Sequence, residues 1–366
     1  STQMWGVAGS PPADVKGPPK GASDKVVYAQ ARLGEKTCWM AIETGETPRL
    51  WIDASGSGDL RDAKAVAGKT LPQMIVFDDV TVPTSDKESA RCRIEARVPQ
   101  EGAPPQYLLV RPAGYMAGEV RLADRTYRVA LVDAKLNGRY DDRLEGPFNP
   151  TASDSLSIDL DSDGRFAPPA LQAEQWEWMP LVKGLKVGDA YYTADPAPDG
   201  SSLVLAKVEV KTGTLDLGSP DVEVTGISAF GFHRAVSADG KMAVPAGRYV
   251  PVIVSLVRTD ASGEAWRLRY SGGAEKLDQI EIRPGETYQA RIGPPLVAKT
   301  DVRIIGPSGP GNEGRTTIEI GLALVGQSGE AYAPGATKGK TQAPAPKLEI
   351  QDEAGKVLAN GQFEYG

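Results

Sequence analysis

The apolar residues of this chain come in short runs that never lengthen into a helical pattern. KVVYAQARL, TCWMAIE, PRLWID, QMIVFDDVTV, ARCRIEARV and QYLLVRP follow one another from residue 25, each rich in β-branched or aromatic residues and each cut off by turn formers. A helix repeats its apolar residues every three or four positions over about ten residues or more, whereas a half-buried strand alternates over about four to eight. Only AKAVAGKTLPQM offers a short helical candidate. The 41 glycines and 29 prolines act in the same direction, because both end helices and punctuate tight turns. The expected class is all-β, built from antiparallel sheets in tandem.

At 366 residues the chain exceeds one ordinary core, and roughly two to four domains are expected. Residues 1–23 contain GSPPADVKGPPKGAS and no periodicity; they read as a flexible Pro/Gly-rich arm with Trp5 as its one large apolar anchor. Residues 24–170 read as a larger, irregular N-terminal β domain, in which GEVRLADRTYRVALVD forms a hairpin turned at Ala123-Asp124. Residues 171–293 read as a middle β-sandwich region with a tight two-residue turn at Asp199-Gly200. The paired prolines of IGPPLVAKTDV place a boundary near 294, and residues 294–366 form a last β domain whose final hairpin turns at Asn360-Gly361.

Charge narrows the partners. The formal net charge of −7 is spread along the chain, and no Lys/Arg cluster exists that could neutralise a row of phosphates, so nucleic acid is not an expected partner. No apolar run approaches the roughly 20 residues that a membrane-spanning helix needs. The opening STQMWG lacks a charged-then-apolar leader, as expected of an exported and trimmed chain and equally of one shortened by other means. Cys38 and Cys92 each lie in a predicted strand of the same region. Two outcomes are open for them: one disulfide in an oxidising compartment, or two buried thiols.

One motif recurs. LWIDASGSGDL, ALVDAKLNGRY and SIDLDSDGRF each end an apolar strand in an aspartate, Asp53, Asp133 or Asp159, and place a glycine five residues later. A large apolar residue follows two positions on, at Leu60, Tyr140 or Phe166. In the third stretch Asp159, Asp161 and Asp163 alternate before Gly164, and three carboxylates ~5 Å apart repel by roughly 3 kcal/mol per pair at an effective dielectric near 20. A divalent cation relieves that repulsion, and donors that are all hard oxygens favour calcium over zinc. The second stretch offers Asp133 and Asn137 with Lys135 in the middle position; the first offers Asp53, Ser55, Ser57 and Asp59. Asp141, Asp142 and Glu145 directly follow the second stretch and are candidates for any missing ligand. The alternative is that all three are surface turns, since Asp bonds its own backbone and Gly accepts a positive φ.

SIDLDSDGRF resembles the calcium loops of EF-hand and dockerin proteins, D-x-[DN]-x-[DN]-G, over about eight residues. The acidic twelfth position of an EF-hand falls here on Ala170, after Pro168 and Pro169, so the resemblance stops at the loop. VPAGRY followed by IRPGETYQARIG resembles the strand-turn rhythm of bacterial immunoglobulin-like or prealbumin-like modules. The whole pattern, Asp-Gly loops on strand ends and a terminal GQFEYG hairpin, is similar to uncharacterised secreted bacterial β-modular proteins. These resemblances imply immunoglobulin-like sandwich modules and an exported structural or binding role.

The functional expectation is a non-catalytic, extracytoplasmic structural or assembly subunit with structural calcium, joined to other subunits through the N-terminal arm. His233, the single histidine, sits in the apolar strand AFGFHRAV, and no HExxH, nucleophile elbow or phosphate-cradling loop is present. Two alternatives stand beside it. Trp176 and Trp178 alternate in QWEWM and could stack a sugar ring, giving a carbohydrate- or peptide-binding sandwich. The 48 acidic residues also offer pairs for a two-carboxylate glycoside hydrolase, although no spacing selects one pair.

Overall fold

The structure, a computed structural model, describes residues 3–99, 103–145, 149, 152–167, 176–236, 239–270, 277–305, 317–333, 335–339 and 341–364. All regular structure among them is β, and no helix is long and apolar enough to cross a membrane. The chain divides into two compact units, Ser1–Val208 and Glu209–Gly366.

In the first unit, one sheet contains β1 (Gln3–Ala8), β2 (Val26–Leu33), β3 (Lys36–Glu43), β4 (Arg49–Ile52), β5 (Val66–Ala67), β6 (Lys69–Leu71), β7 (Met74–Pro83), β8 (Ser89–Arg97) and β9 (Tyr107–Pro112). Its order is β5-β4-β3-β2-β1-β9-β8-β7-β6. The two ends of that path are consecutive in sequence, with only Gly68 between them. β5 pairs with β4 and β6 with β7, so one stretch of chain closes the sheet on itself. β1 forms the opposite corner, its first half paired to β9 and Val7 and Ala8 to β2. The interior is filled by alternate residues of the long strands, among them Leu33, Cys38, Met40, Leu50, Phe77, Cys92, Ile94 and Leu108.

This arrangement corrects two expectations. AKAVAGKTLPQM is not helical, because its alanines lie where the sheet must close and pairing to β4 and β7 overrides their helix preference. Gly68 is fitted to that corner: a Cβ there would come within 2.5 Å of the Phe77 ring. The N-terminal stretch is not a free arm either. Its first strand completes the sheet, and Val15 packs with Tyr28, Ala41, Trp51 and Leu60 on the outer face of β2–β4. Lys16 N–H donates to Gly58 O at 2.8 Å and Lys20 N–H to Arg61 O at 3.3 Å. The segment lacks periodicity because its apolar residues cover a sheet from outside instead of alternating within one.

Four further strands form a second sheet in sequence order: β10 (Met116–Leu122), β11 (Arg125–Val132), β12 (Ser155–Ile158) and β13 (Trp178–Pro180). The two-residue turn at Ala123-Asp124 is as expected, with Leu122 opposite Arg125 and Ala123 at φ 53°. β14 (Gly184–Val187), β15 (Ala190–Pro196) and β16 (Leu203–Val208) form a third. Here Asp199-Gly200 does not make a two-residue turn: Pro196 pairs with Leu203, leaving the longer connection 197–202. The Asp199 carboxylate accepts from Ser201 N–H and Oγ–H within it.

The second unit contains β17 (Thr212–Asp216), β18 (Val222–Ser228), β19 (Gly231–Ala235), β20 (Lys241–Pro245), β21 (Gly247–Thr259), β22 (Ala265–Arg269), β23 (Ile280–Ile282) and β24 (Thr287–Gln289). β20-β17-β24 form one sheet; β19, β18, β21 and β22 run through another, and β23 pairs with β21. Leu215 and Val244 from the first, with Leu217 just beyond β17, share one core with Val224, Tyr249, Val254 and Leu256 from the second. Within VPAGRY, the buried Tyr249 hydroxyl donates to Pro245 O at 2.7 Å and pins the turn.

The remaining strands are β25 (Val297–Ile305), β26 (Thr317–Val325), β27 (Ala331–Tyr332), β28 (Thr337–Lys338), β29 (Thr341–Gln342), β30 (Lys347–Gln351) and β31 (Val357–Gln362). Asn360 and Gly361 lie inside β31, opposite Glu349 and Leu348, so the expected turn there is corrected. Asp352 makes the turn instead: its carboxylate accepts from Ala354 and Lys356 N–H, and Gly355 takes φ 81°. Strand pairing also crosses both sequence boundaries. β12 pairs with β13 across 170, and Arg267 of β22 pairs with Thr337 across 294, so the division falls after Val208.

Candidate metal centre

The three Asp-Gly stretches are one loop built three times. In each, the fourth residue is left-handed: Gly56 at φ 72°, Leu136 at 58° and Ser162 at 64°. The sixth residue is a left-handed glycine: Gly58 at φ 79°, Gly138 at 83° and Gly164 at 81°. The leading aspartate, buried each time, holds that geometry through Oδ2, which accepts from the glycine N–H at 2.6, 2.8 and 3.1 Å respectively. The loops differ in what meets the other oxygen.

In the first loop Asp53 Oδ1 accepts from Ser55 N–H at 3.0 Å, Ser55 Oγ–H at 2.7 Å and Gly56 N–H at 3.1 Å. Asp59 turns to Arg61 at 2.6 Å, and that guanidinium holds its carboxyl down to about 2. Asp53 and Asp59 are thus both spent inside the protein.

The second loop carries its own cation. Asp133 Oδ1 accepts from Asn137 N–H at 3.1 Å, and Asp142 receives Lys135 Nζ at 2.8 Å and Asn137 Nδ2 at 2.6 Å. Asp141 pairs with Arg139 at 2.8 Å. The middle position therefore delivers an ammonium where a calcium loop would deliver a carboxylate, and Asp133, Asn137 and Asp142 are partnered without a metal. The left-handed turn sends Leu136 into the interior of the closed sheet, where it is fully buried. Asp154 underlies the loop, accepting from Ala134 N–H at 3.0 Å and Asp142 N–H at 2.9 Å. Burial, opposed in part by the Asp142 N–H bond, pushes its carboxyl up to about 7.

In the third loop Asp159 Oδ1 is buried with no hydrogen-bond partner among the described residues. One ligand oxygen each of Asp159, Asp161 and Glu177 lie within 4.8 Å of one another. Glu177, buried, also braces the loop: Oε1 accepts from Leu160 N–H at 2.7 Å and Asp161 N–H at 3.3 Å, and Oε2 from Ala167 N–H at 2.7 Å. Arg125 donates to Ser162 Oγ at 2.7 Å and Arg128 to Gly164 O at 2.6 Å, fixing the rim. Asp163 stands apart from the trio, exposed, with Oδ1 accepting from Arg165 N–H at 2.8 Å. A carboxylate oxygen has two lone pairs, so Glu177 and Asp161 keep acceptor capacity alongside these bonds.

Of the residues that the spacing nominated, Asp159 and Asp161 converge with Glu177, which it did not nominate, and Asp163 is not in that group. Asp141 and Asp142 pair with Arg139 and Lys135 of the second loop and, like Glu145, are not in the group of carboxylates that converge at the third. The available signal for Glu177 was an acid between two tryptophans, a poor place for a carboxylate unless it has a partner. Trp176 itself is buried, so the expected paired aromatic face for sugar stacking is not presented. His233 lies half-buried on β19 with its ring edge-on to Tyr249 at 5.5 Å, as a packed residue does. Cys38 and Cys92 are free buried thiols, and burial pushes the Cys92 thiol up to about 12. No protein-family model, curated protein or solved structure matches this chain.

Proposed function

We propose that this chain is a non-catalytic, extracytoplasmic structural or assembly protein whose first unit is braced by a calcium ion held by Asp159, Asp161 and Glu177. The observation that carries the reading is the orphaned Asp159 Oδ1. The same atom is satisfied by serine and backbone donors in the first loop and by Asn137 N–H in the second. A buried anionic oxygen without a partner costs several kcal/mol unless a cation meets it. Hard oxygen donors of this kind favour calcium. Three carboxylates supply less than a full set of six to eight ligands, so a dissociation constant on the order of 10⁻⁴–10⁻³ M is expected. Such a site fills where calcium is millimolar, which agrees with an extracytoplasmic setting. Two all-β units with surface loops fixed by hydrogen bonds suit a load-bearing or packing role, and immunoglobulin-like modules belong to the same proposal.

Trp176 and Trp178 flank Glu177, so a lanthanide in the site would be excited through indole. Terbium added to the full chain should give tryptophan-sensitised emission that calcium displaces, and Asp161→Asn, on an exposed side chain, should weaken it at least about tenfold. Absence of sensitised emission, or emission unchanged in Asp161→Asn, would remove the metal site.

A further inference from the structure

We infer that β25 is a homodimerisation edge, pairing antiparallel with β25 of a second copy about a two-fold axis at Val302. This extends the assembly reading and is independent of the cation site. β25 is an outer strand of the three-stranded sheet β25-β26-β27, bonded to β26 on one side, and among the described residues no strand pairs with its other edge. A nine-residue strand with an open edge is a template for another chain. Natural edges are usually blunted by charge, proline or a bulge. This one has neither proline nor bulge, and Val302 and Ile304 are 57% and 74% exposed.

Its charges alternate in sign instead of repelling. Lys299, Asp301 and Arg303 share one face, while Thr300, Val302 and Ile304 share the other, beside Leu322, Ile320 and Ile318 across the ladder. Same-face residues must meet in an antiparallel pair, so few registers are available. An axis at Asp301 sets that carboxylate against its own copy and Lys299 against Arg303; both contacts are repulsive. An axis at Thr300 pairs Lys299 with Asp301 but sets Val297 against Arg303 and leaves Ile304 beyond the paired stretch. An axis at Val302 sets Asp301 opposite Arg303 twice, Val302 against Val302, and Thr300 against Ile304 twice. It alone joins opposite charges while keeping Val302 and Ile304, the two most exposed apolar residues of the strand, inside the ladder; Val297, 56% exposed, lies beyond its end, and Lys299 falls opposite Ile305. Asp301 and Arg303 already meet at 2.8 Å along one strand, exposed on both sides, and can exchange partners without burial.

The test is sedimentation of the full chain in chelator, which separates it from the calcium reading. The wild type should show a concentration-dependent dimer. Asp301→Arg should raise the dissociation constant about tenfold by placing like charges opposite each other, and Asp301→Arg with Arg303→Asp should restore it. Under mild oxidation Val302→Cys should cross-link to itself and Thr300→Cys should not; Cys38 and Cys92 are buried and do not compete. A wild type that stays monomeric at its highest soluble concentration, a dimer indifferent to Asp301→Arg, or cross-linking through Thr300→Cys alone would overturn the inference.

Discussion

Asp154 is the residue whose burial has the clearest measurable consequence. Its folded carboxyl titrates at about 7, well above the ordinary value, because it lies out of water beneath the second loop. Between about pH 4 and 7 the unfolded chain has released this proton while the folded chain retains it. The unfolded state thus binds fewer protons, and stability falls as pH rises through that window. The contribution is fully present below about pH 4 and gone above about 7. Carboxyls held low by donors or cations, such as Glu43 and Asp59, act at the acid end and do not mask it. Urea midpoints at about pH 4.5 and 7.5 should therefore differ, lower at the higher pH, and Asp154→Asn should flatten the difference. Unchanged pH dependence in that variant would place the proton elsewhere. None of this is visible in the sequence, where Asp154 sits in a polar stretch, TASDS, with no mark of burial.

At the scale of elements, the Asp-Gly loops were legible as a repeat because their geometry depends on residue type at fixed offsets: an aspartate, and a glycine five residues on. Their division of labour was not, because it depends on what each loop meets in space. The second loop is a plug. Leu136, fully buried, closes the core of the nine-strand sheet from a loop that the sequence presents as a metal candidate. Leu136→Ala should cost about 2–5 kcal/mol, as for other fully buried leucines, read as a lower denaturant midpoint with little change in slope. A cost below about 1 kcal/mol would show that the loop only rests on the surface. Strand identities were read well where apolar residues alternate, as in β8 (SARCRIEAR), and where short β-branched or aromatic runs are bounded by turn formers, as in β2 and β3. Asn360-Gly361 misled because a strong turn dipeptide lost to Asp352, whose side chain organises a competing turn three residues before Gly355.

For the whole molecule, the all-β class followed from periodicity and punctuation, whereas closure and domain division did not. Closure rests on β1, which pairs with β9 and β2, and on β5 and β6, which pair with β4 and β7; these three short segments have no strong pattern of their own. The paired prolines at 294–295 looked like a linker, yet Tyr332 beyond them is fully buried in the core with Val222 and Leu256. The central claim is that an ion meets Asp159 Oδ1 and braces the first unit alone. Calorimetry of the full chain tests it, comparing wild type and Asp161→Asn, each in calcium and in chelator. At calcium about ten times the dissociation constant, linkage should stabilise the first unit by about 1.4 kcal/mol, a shift of roughly 3–6 °C for a unit of this size. The account predicts that one wild-type transition moves by that amount while the other stays, and that Asp161→Asn keeps at most about a third of the shift. Wild-type transitions that coincide in calcium and chelator, or an equal shift in Asp161→Asn, would contradict it.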